Sequence, residues 1–196
     1  MYPALHSKGL AIRFNAARPF PHILIRNVVS VSQVALLRKA IESEPKTRWN
    51  TDLYQFWQTD DLKKSDNPVI KEFVAWFTSL DTKEFIQQVT GANVLGPVDL
   101  AGFVYEDTDY LLPHDDRTPG RRVAYILYLT NSNTADGGSL DLFESTPSGK
   151  PIRVKKSIVP YAGSLMLFQV SRRSFHQVSE QLSTMPRITI GGWFNG

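Results

Sequence analysis

The second half of the chain constrains its fold most. From Val98 onward helical periodicity stops. Short β-patterned runs follow one another at about 98–106, 109–116, 121–130, 138–144, 152–158, 163–170, 174–179 and 187–194. Turn residues separate them, most clearly at Asp136-Gly137-Gly138 and Pro147-Ser148-Gly149-Lys150. Short strands at such regular spacing read as a sandwich or barrel. Helical patterns lie only upstream, so the expected class is α+β, a cupin-like jelly roll buttressed by N-terminal helices.

The upstream half supplies those helices. Residues 1–19 are mixed and irregular, an arm that is either loose or packed across the core. Pro19 to Val29 contains a strand. Ser30 caps a helix to about Ser43, with Val31, Val34, Leu37 and Ile41 on its apolar face. Aromatic and polar residues alternate through 46–64, as in a hairpin with one buried face. Its Tyr54 and Trp57 are candidates for contacting a peptide substrate. Asp60-Asp61 reads as a solvated turn rather than a metal site, because no histidine accompanies it. Asp66-Asn67-Pro68 opens a helix to about Ser79, with Ile70, Phe73, Val74 and Phe77 as its buried stripe. A third helix begins at Asp81 or Thr82 and ends at Gly91. No repeat, low-complexity tract or linker divides the chain. Residues 1–196 are therefore expected to form one domain: an arm at 1–19, helical and hairpin support at 20–97, and a β core at 98–196.

Composition narrows the chemistry. The 196 residues include no cysteine, so any metal site must be built from His, Asp, Glu and water. The same absence fits a reducing compartment, and the expected location is cytoplasmic or nuclear. The net charge is only +3, and basic residues occur in scattered pairs such as Lys63-Lys64 and Arg172-Arg173. No RNA-binding motif accompanies them, and direct nucleic-acid binding is not expected. No apolar run is long enough to span a bilayer, and the first twenty residues contain no signal-peptide core.

One cluster of residue types stands out against this background. His114 and Asp116 are two apart in Leu111-Leu112-Pro113-His114-Asp115-Asp116, and on a strand such residues share a face. Asp115 would point the other way, although a bulge at Pro113 would reverse that choice. His176 follows in Ser174-Phe175-His176-Gln177-Val178. Two histidines and one carboxylate make a facial triad suited to iron(II), leaving positions open for a bidentate co-substrate and O₂. Arg187 lies in the apolar run Pro186-Arg187-Ile188-Thr189-Ile190, where its charge needs a partner. A dicarboxylate would supply one, held by the planar guanidinium fork. Thr189 shares a strand face with Arg187. Tyr128 is a further inward-facing candidate, opposite in phase to Tyr125. No general base is sought beyond the metal centre.

These motifs resemble the iron(II)- and 2-oxoglutarate-dependent oxygenases. Within them, the chain from about residue 20 onward is similar to the ribosomal-protein prolyl hydroxylases. The resemblance is carried by His114-Asp115-Asp116, Gly120 to Leu129, Gly137 to Leu142, Ser174 to Glu180, Gly191-Gly192-Trp193-Phe194, Asp52 to Phe56 and Asp60 to Lys64. It implies a double-stranded β-helix. It also implies hydroxylation of a proline in the decoding-centre protein of the small ribosomal subunit, with release of succinate and CO₂. By the same resemblance His114, Asp116 and His176 are iron ligands, and Arg187 and Tyr128 bind the distal carboxylate of 2-oxoglutarate. Iron(II), 2-oxoglutarate and O₂ are the implied cofactors and co-substrates, with ascorbate as an added reductant. Fungal and animal members carry a second, non-catalytic β-helix domain. This sequence ends at Asn195-Gly196, where the resemblance places the end of the catalytic domain.

Two alternatives stand beside that reading. One is a related oxygenase acting on prolines of an oxygen-sensing transcription factor or a collagen-like chain. The other is a non-catalytic jelly-roll binding module, which would leave the triad and Arg187 without a purpose. A zinc hydrolase on the same ligands fits less well, since it too leaves Arg187 unexplained.

Overall fold

The computed structural model describes residues 2–196. Each of the eight β-patterned runs contains one strand: β4 (Ala101–Tyr105), β5 (Tyr110–His114), β6 (Arg121–Tyr128), β7 (Leu140–Ser145), β8 (Pro151–Ile158), β9 (Leu165–Gln169), β10 (His176–Val178) and β11 (Arg187–Asn195). Upstream, β1 (His22–Ile25) and the hairpin β2 (Lys46–Asn50) with β3 (Tyr54–Thr59) bring the sheet to eleven strands. The order is β1-β9-β6-β11-β4-β3-β5-β10-β7-β8, with β2 added on β3. Every named pair is antiparallel. The sheet curls into a double-stranded β-helix. Its two outermost strands approach each other, where Lys156 Nζ lies 3.1 Å from His22 Nε2.

Helices cover one face. Ser30 caps α2 (Val31–Ser43) through a reciprocal box: its hydroxyl accepts from the Gln33 N–H, and Gln33 Oε1 accepts from the Ser30 N–H. The face that α2 buries is Leu37, Ala40 and Ile41. Val31 does not belong to it and is 88% exposed, because it lies about 120° around the helix from Leu37 at 3.6 residues per turn. Asn67 caps α3 (Pro68–Phe77), with Pro68 in its first turn. This helix buries Ile70, Phe73 and Phe77, while Val74 is only half-buried. Ser79 caps α4 (Leu80–Thr90), and Gly91 at φ 72 closes it in the left-handed conformation that glycine adopts without strain.

The N-terminal arm packs rather than floats. It contains a short helix, α1 (Leu10–Ala16), that the sequence pattern did not show. Phe14 is the single residue α1 buries fully, too few to establish a period. Nearby, Tyr2 stacks on Trp76 with ring centroids 4.6 Å apart.

Strand alternation separates a helix-facing core from an inner one, and Phe56, Tyr105 and Val178 form a third, small cluster. Along β6, Val123, Tyr125 and Leu127 face the helices, whereas Ala124 and Tyr128 face the inside of the β-helix. Along β9, Leu165 and Leu167 join the first group and Met166 and Phe168 the second. The inner core is smaller than the helix-facing one, and Ala124, Leu140 and Phe168 from it line the site described next.

Candidate active site

Strands β5 and β10 lie side by side, with His114 opposite His176 in the register. Their imidazole rings are 4.2 Å apart. The Asp116 carboxylate sits between them, with Oδ1 3.4 Å from His114 Nε2 and Oδ2 3.4 Å from His176 Nε2. The three potential donor atoms all fall within 4.8 Å of one another. Each histidine is oriented by backbone: Leu112 O lies 2.8 Å from His114 Nδ1, and Ser174 O lies 2.8 Å from His176 Nδ1. A carbonyl accepts only from N–H, so Nδ1 carries hydrogen in both rings and Nε2 is left to offer its lone pair.

The reason for Asp116 over Asp115 differs from the one expected. β5 ends at His114, so strand alternation does not reach residue 116. Instead Asp116 turns into the site from the following loop, at φ 63, a left-handed conformation that Asp tolerates better than most residues. Asp115 is engaged elsewhere: its side chain accepts from Arg117 Nε at 2.7 Å, and its carbonyl accepts from Ser174 Oγ at 3.0 Å.

Charge is unevenly shared in this cluster. Burial is the largest influence on His176 and pushes it down to about 4, despite the nearby carboxylate. Burial also acts to lower His114, but its hydrogen bond and charge interaction with Asp116 outweigh that and raise it. For Asp116, burial acts upward and is overcome by His176 and His114, which hold the carboxyl well below the usual range. His176 is thus uncharged at neutral pH, and of the two imidazoles His114 takes up a proton the more readily.

The triad opens into a cavity of about 230 Å³ whose walls include Phe103, Leu140, Phe168, Arg187 and Thr189. Arg187 is 1% exposed. Its guanidinium carbon lies 4.9 Å from the Tyr105 ring and 5.5 Å from the Tyr128 ring. These aromatic faces moderate the charge but do not neutralise it. Arg187 Nε and Nη2 and the Tyr128 hydroxyl are buried without a hydrogen-bond partner among the described residues. Burying such groups costs several kcal/mol unless something pairs with them. An anion with two oxygens in one plane would satisfy them. Thr189, 2% exposed, faces the cavity on the same side of β11, and Tyr128 stands beside Arg187.

The substrate-contact candidates do not share a face of β3. Tyr54, Phe56 and Gln58 alternate onto one face of β3, and Phe56 and Gln58 reach the cavity wall. Tyr54 stacks on Phe56 at 5.4 Å. Trp57 is odd in phase with Tyr54. It packs toward the helix-facing core and donates from Nε1 to Glu106 Oε2 at 3.0 Å.

Two wall residues beside Asp116 were not singled out from the sequence. Arg121 donates from Nη1 to the Asp116 carbonyl at 3.3 Å, and its guanidinium carbon lies 3.3 Å from the Trp193 ring centroid. Trp193 lines the same cavity. Extending the alternation of Arg187 and Thr189 four residues further along β11 reaches it.

The donor set fits iron(II), and the unpaired guanidinium fits a dicarboxylate co-substrate. Comparisons with known proteins bear on the family rather than on single residues. The family model for the 2OG-Fe(II) oxygenase superfamily matches residues 100–195. Prolyl 3-hydroxylase OGFOD1 of Mus musculus is 38% identical over 182 residues, covering 91% of this chain and 33% of the relative. Its Xenopus laevis counterpart is 39% identical over 184 residues, covering 91% and 35%. The chain thus spans about a third of the length of these curated relatives. Among solved structures, a Pseudomonas putida prolyl-4-hydroxylase superposes with a TM-score of 0.73 at 19% identity, covering 95% of this chain and 98% of that one. With its double-stranded β-helix, its two-histidine, one-carboxylate cluster and a buried arginine unpaired among the described residues, the chain carries a domain of the 2OG-Fe(II) oxygenase superfamily.

Proposed function

We propose that this chain is a 2-oxoglutarate-dependent prolyl hydroxylase, that it oxidises C3 of the ring, and that its target proline lies in the decoding-centre protein of the small ribosomal subunit. One observation carries the reading: the walls of a single cavity carry both the His114, Asp116 and His176 cluster and a guanidinium without a counter-ion among the described residues. That both vertebrate relatives are prolyl 3-hydroxylases supports C3. The ribosomal target rests on the motifs shared with that hydroxylase family, the 52–64 stretch above all.

Bound iron(II), with 2-oxoglutarate and O₂, would supply the oxidising chemistry that replaces C–H by C–OH and yields succinate and CO₂. His114, Asp116 and His176 would hold the metal, their Nε2 and carboxylate atoms already convergent. Arg187 would pair with the distal carboxylate of the co-substrate, with Thr189 and Tyr128 as hydroxyl donors. The inner apolar wall, Leu140 and Phe168 among it, would keep water from the reacting centre. The protein's share is ligation, orientation and exclusion.

The test is incubation with iron(II), 2-oxoglutarate, ascorbate, air and a peptide carrying the decoding-centre proline, read by mass spectrometry with fragmentation. Gain of one oxygen at C3 of that proline is expected. Modification only of a collagen-like or transcription-factor peptide would transfer the activity to another substrate. Absence of iron-dependent 2-oxoglutarate turnover with every peptide would remove the enzyme reading.

A further inference from the structure

The geometry points to Trp193, clamped by Arg121, as a positioning residue that fixes which oxygen of Asp116 turns to the metal. The inference rests on the triad being the metal site. It starts from two unmet hydrogen-bonding needs. The Trp193 Nε1–H is buried and has no hydrogen-bond partner among the described residues. Such orphan donors are rare in proteins and signal a role or a missing partner. Yet Trp193 and Asp116 line the same cavity, and Arg121 touches both, lying over the ring of one and bonding the carbonyl of the other. The second need belongs to Asp116. Its two oxygens straddle the two histidines, each 3.4 Å from one Nε2. A carboxylate that gives one oxygen to a metal leaves the other wanting a donor. Neither histidine can serve, since each Nδ1–H is directed at a backbone carbonyl and each Nε2 faces the site. The indole N–H fills that place.

The surroundings hold the indole still. Its backbone carbonyl accepts from the Asp99 N–H at 2.9 Å, and Trp193 registers with Ala124 of β6. The neighbouring Gly192 allows that close approach, because a Cβ there would lie 1.9 Å from Asp99 O. Arg121 covers the ring and reaches the Asp116 carbonyl in the same span. Ring, guanidinium and ligand backbone therefore form one unit, and the left-handed turn at Asp116 is braced by it. Arg187, Thr189, Gly191 and Trp193 share one face of β11, so the strand that presents the co-substrate group also presents the donor for the metal ligand.

The experiment uses cobalt(II) as an air-stable probe, titrated into the whole chain and read by its visible absorption and by its dissociation constant. Trp193→Phe keeps the ring for Arg121 and removes only the N–H. It is expected to weaken cobalt(II) binding by about 10- to 100-fold, the usual cost of losing a supporting partner to a metal ligand, and to change the band shape. Its circular dichroism and melting temperature should match the parent. Arg121→Met should shift both readouts the same way by freeing the indole. Wild-type affinity and spectrum in Trp193→Phe would overturn the assignment while leaving the metal site intact. If the parent chain binds no cobalt(II), or His114→Ala binds it unchanged, the triad reading fails and this one with it.

Discussion

At the scale of single residues, the guanidinium of Arg187, unpaired among the described residues, makes the firmest demand. A buried charge needs a counter-charge, and removing one partner of such a pair costs about 2–5 kcal/mol. Arg187→Met is therefore expected to raise KM for 2-oxoglutarate by about 30-fold or more, with cobalt(II) affinity unchanged in a metal titration. His114 carries a second prediction. Its pKa is raised chiefly because the Asp116 carboxylate outweighs burial, so protons and metal compete for the same Nε2. Metal affinity should fall as pH drops below that raised pKa and rise as pH increases through it. The limiting slope for one competing proton is about tenfold per pH unit. Calorimetry across pH in buffers of different ionisation enthalpy would register the released proton, and a flat affinity would contradict the charge assignment. Both histidines were legible from residue type and spacing. Asp116 was legible only in identity, because its route into the site is a left-handed loop residue that no alternation rule describes.

At the scale of elements, the hairpin β2–β3 is tied to the body of the sheet through a group that sequence reading passed over. Asp109 is fully buried and accepts from both terminal nitrogens of Arg48, at 2.6 and 2.5 Å, and from the Glu106 N–H at 2.8 Å. Arg48 also lies over Trp57, so one ion pair orders the hairpin and the turn before β5 together. Asp109→Asn should cost about 1.5–3 kcal/mol, the range for hydrogen bonds to charged groups. The loss should appear first as faster amide hydrogen exchange in 46–59, with KM for the peptide rising more than KM for 2-oxoglutarate. Equal protection in the variant would show that the hairpin is held by its apolar face alone. Alternation in the sequence was enough to find this hairpin. It did not reveal that Trp57 turns away from the cavity, because both faces of β3 carry aromatics and each has a core to enter. A period tells which residues share a face, not which face meets the site.

At the scale of the whole molecule, the β half was readable because its strands are short, regularly spaced and punctuated by turns. The helix α1 was not, with one anchoring side chain in seven residues. The two-core division that alternation creates has a measurable consequence. Phe77 lies in the helix-facing core, fully buried against Phe73, Tyr125 and Phe194 at 5.2, 4.7 and 5.4 Å. Phe168 lies in the inner core, 1% exposed, with its ring 4.6 Å from that of His176. Truncating either to alanine removes a similar apolar volume, at a cost of about 3–5 kcal/mol each. Denaturant unfolding of Phe77→Ala and Phe168→Ala should therefore give similar losses of stability. Their metal sites should differ. Phe77→Ala leaves the triad's surroundings intact, and its folded fraction should bind cobalt(II) as the parent does. Phe168→Ala opens space beside His176, lets water reach a ring now held neutral by burial, and should weaken cobalt(II) binding in protein that is still folded. Were the two variants to lose metal affinity equally, the sheet would be transmitting strain between its faces, and the inner core would not be the separate support that the strand alternation describes.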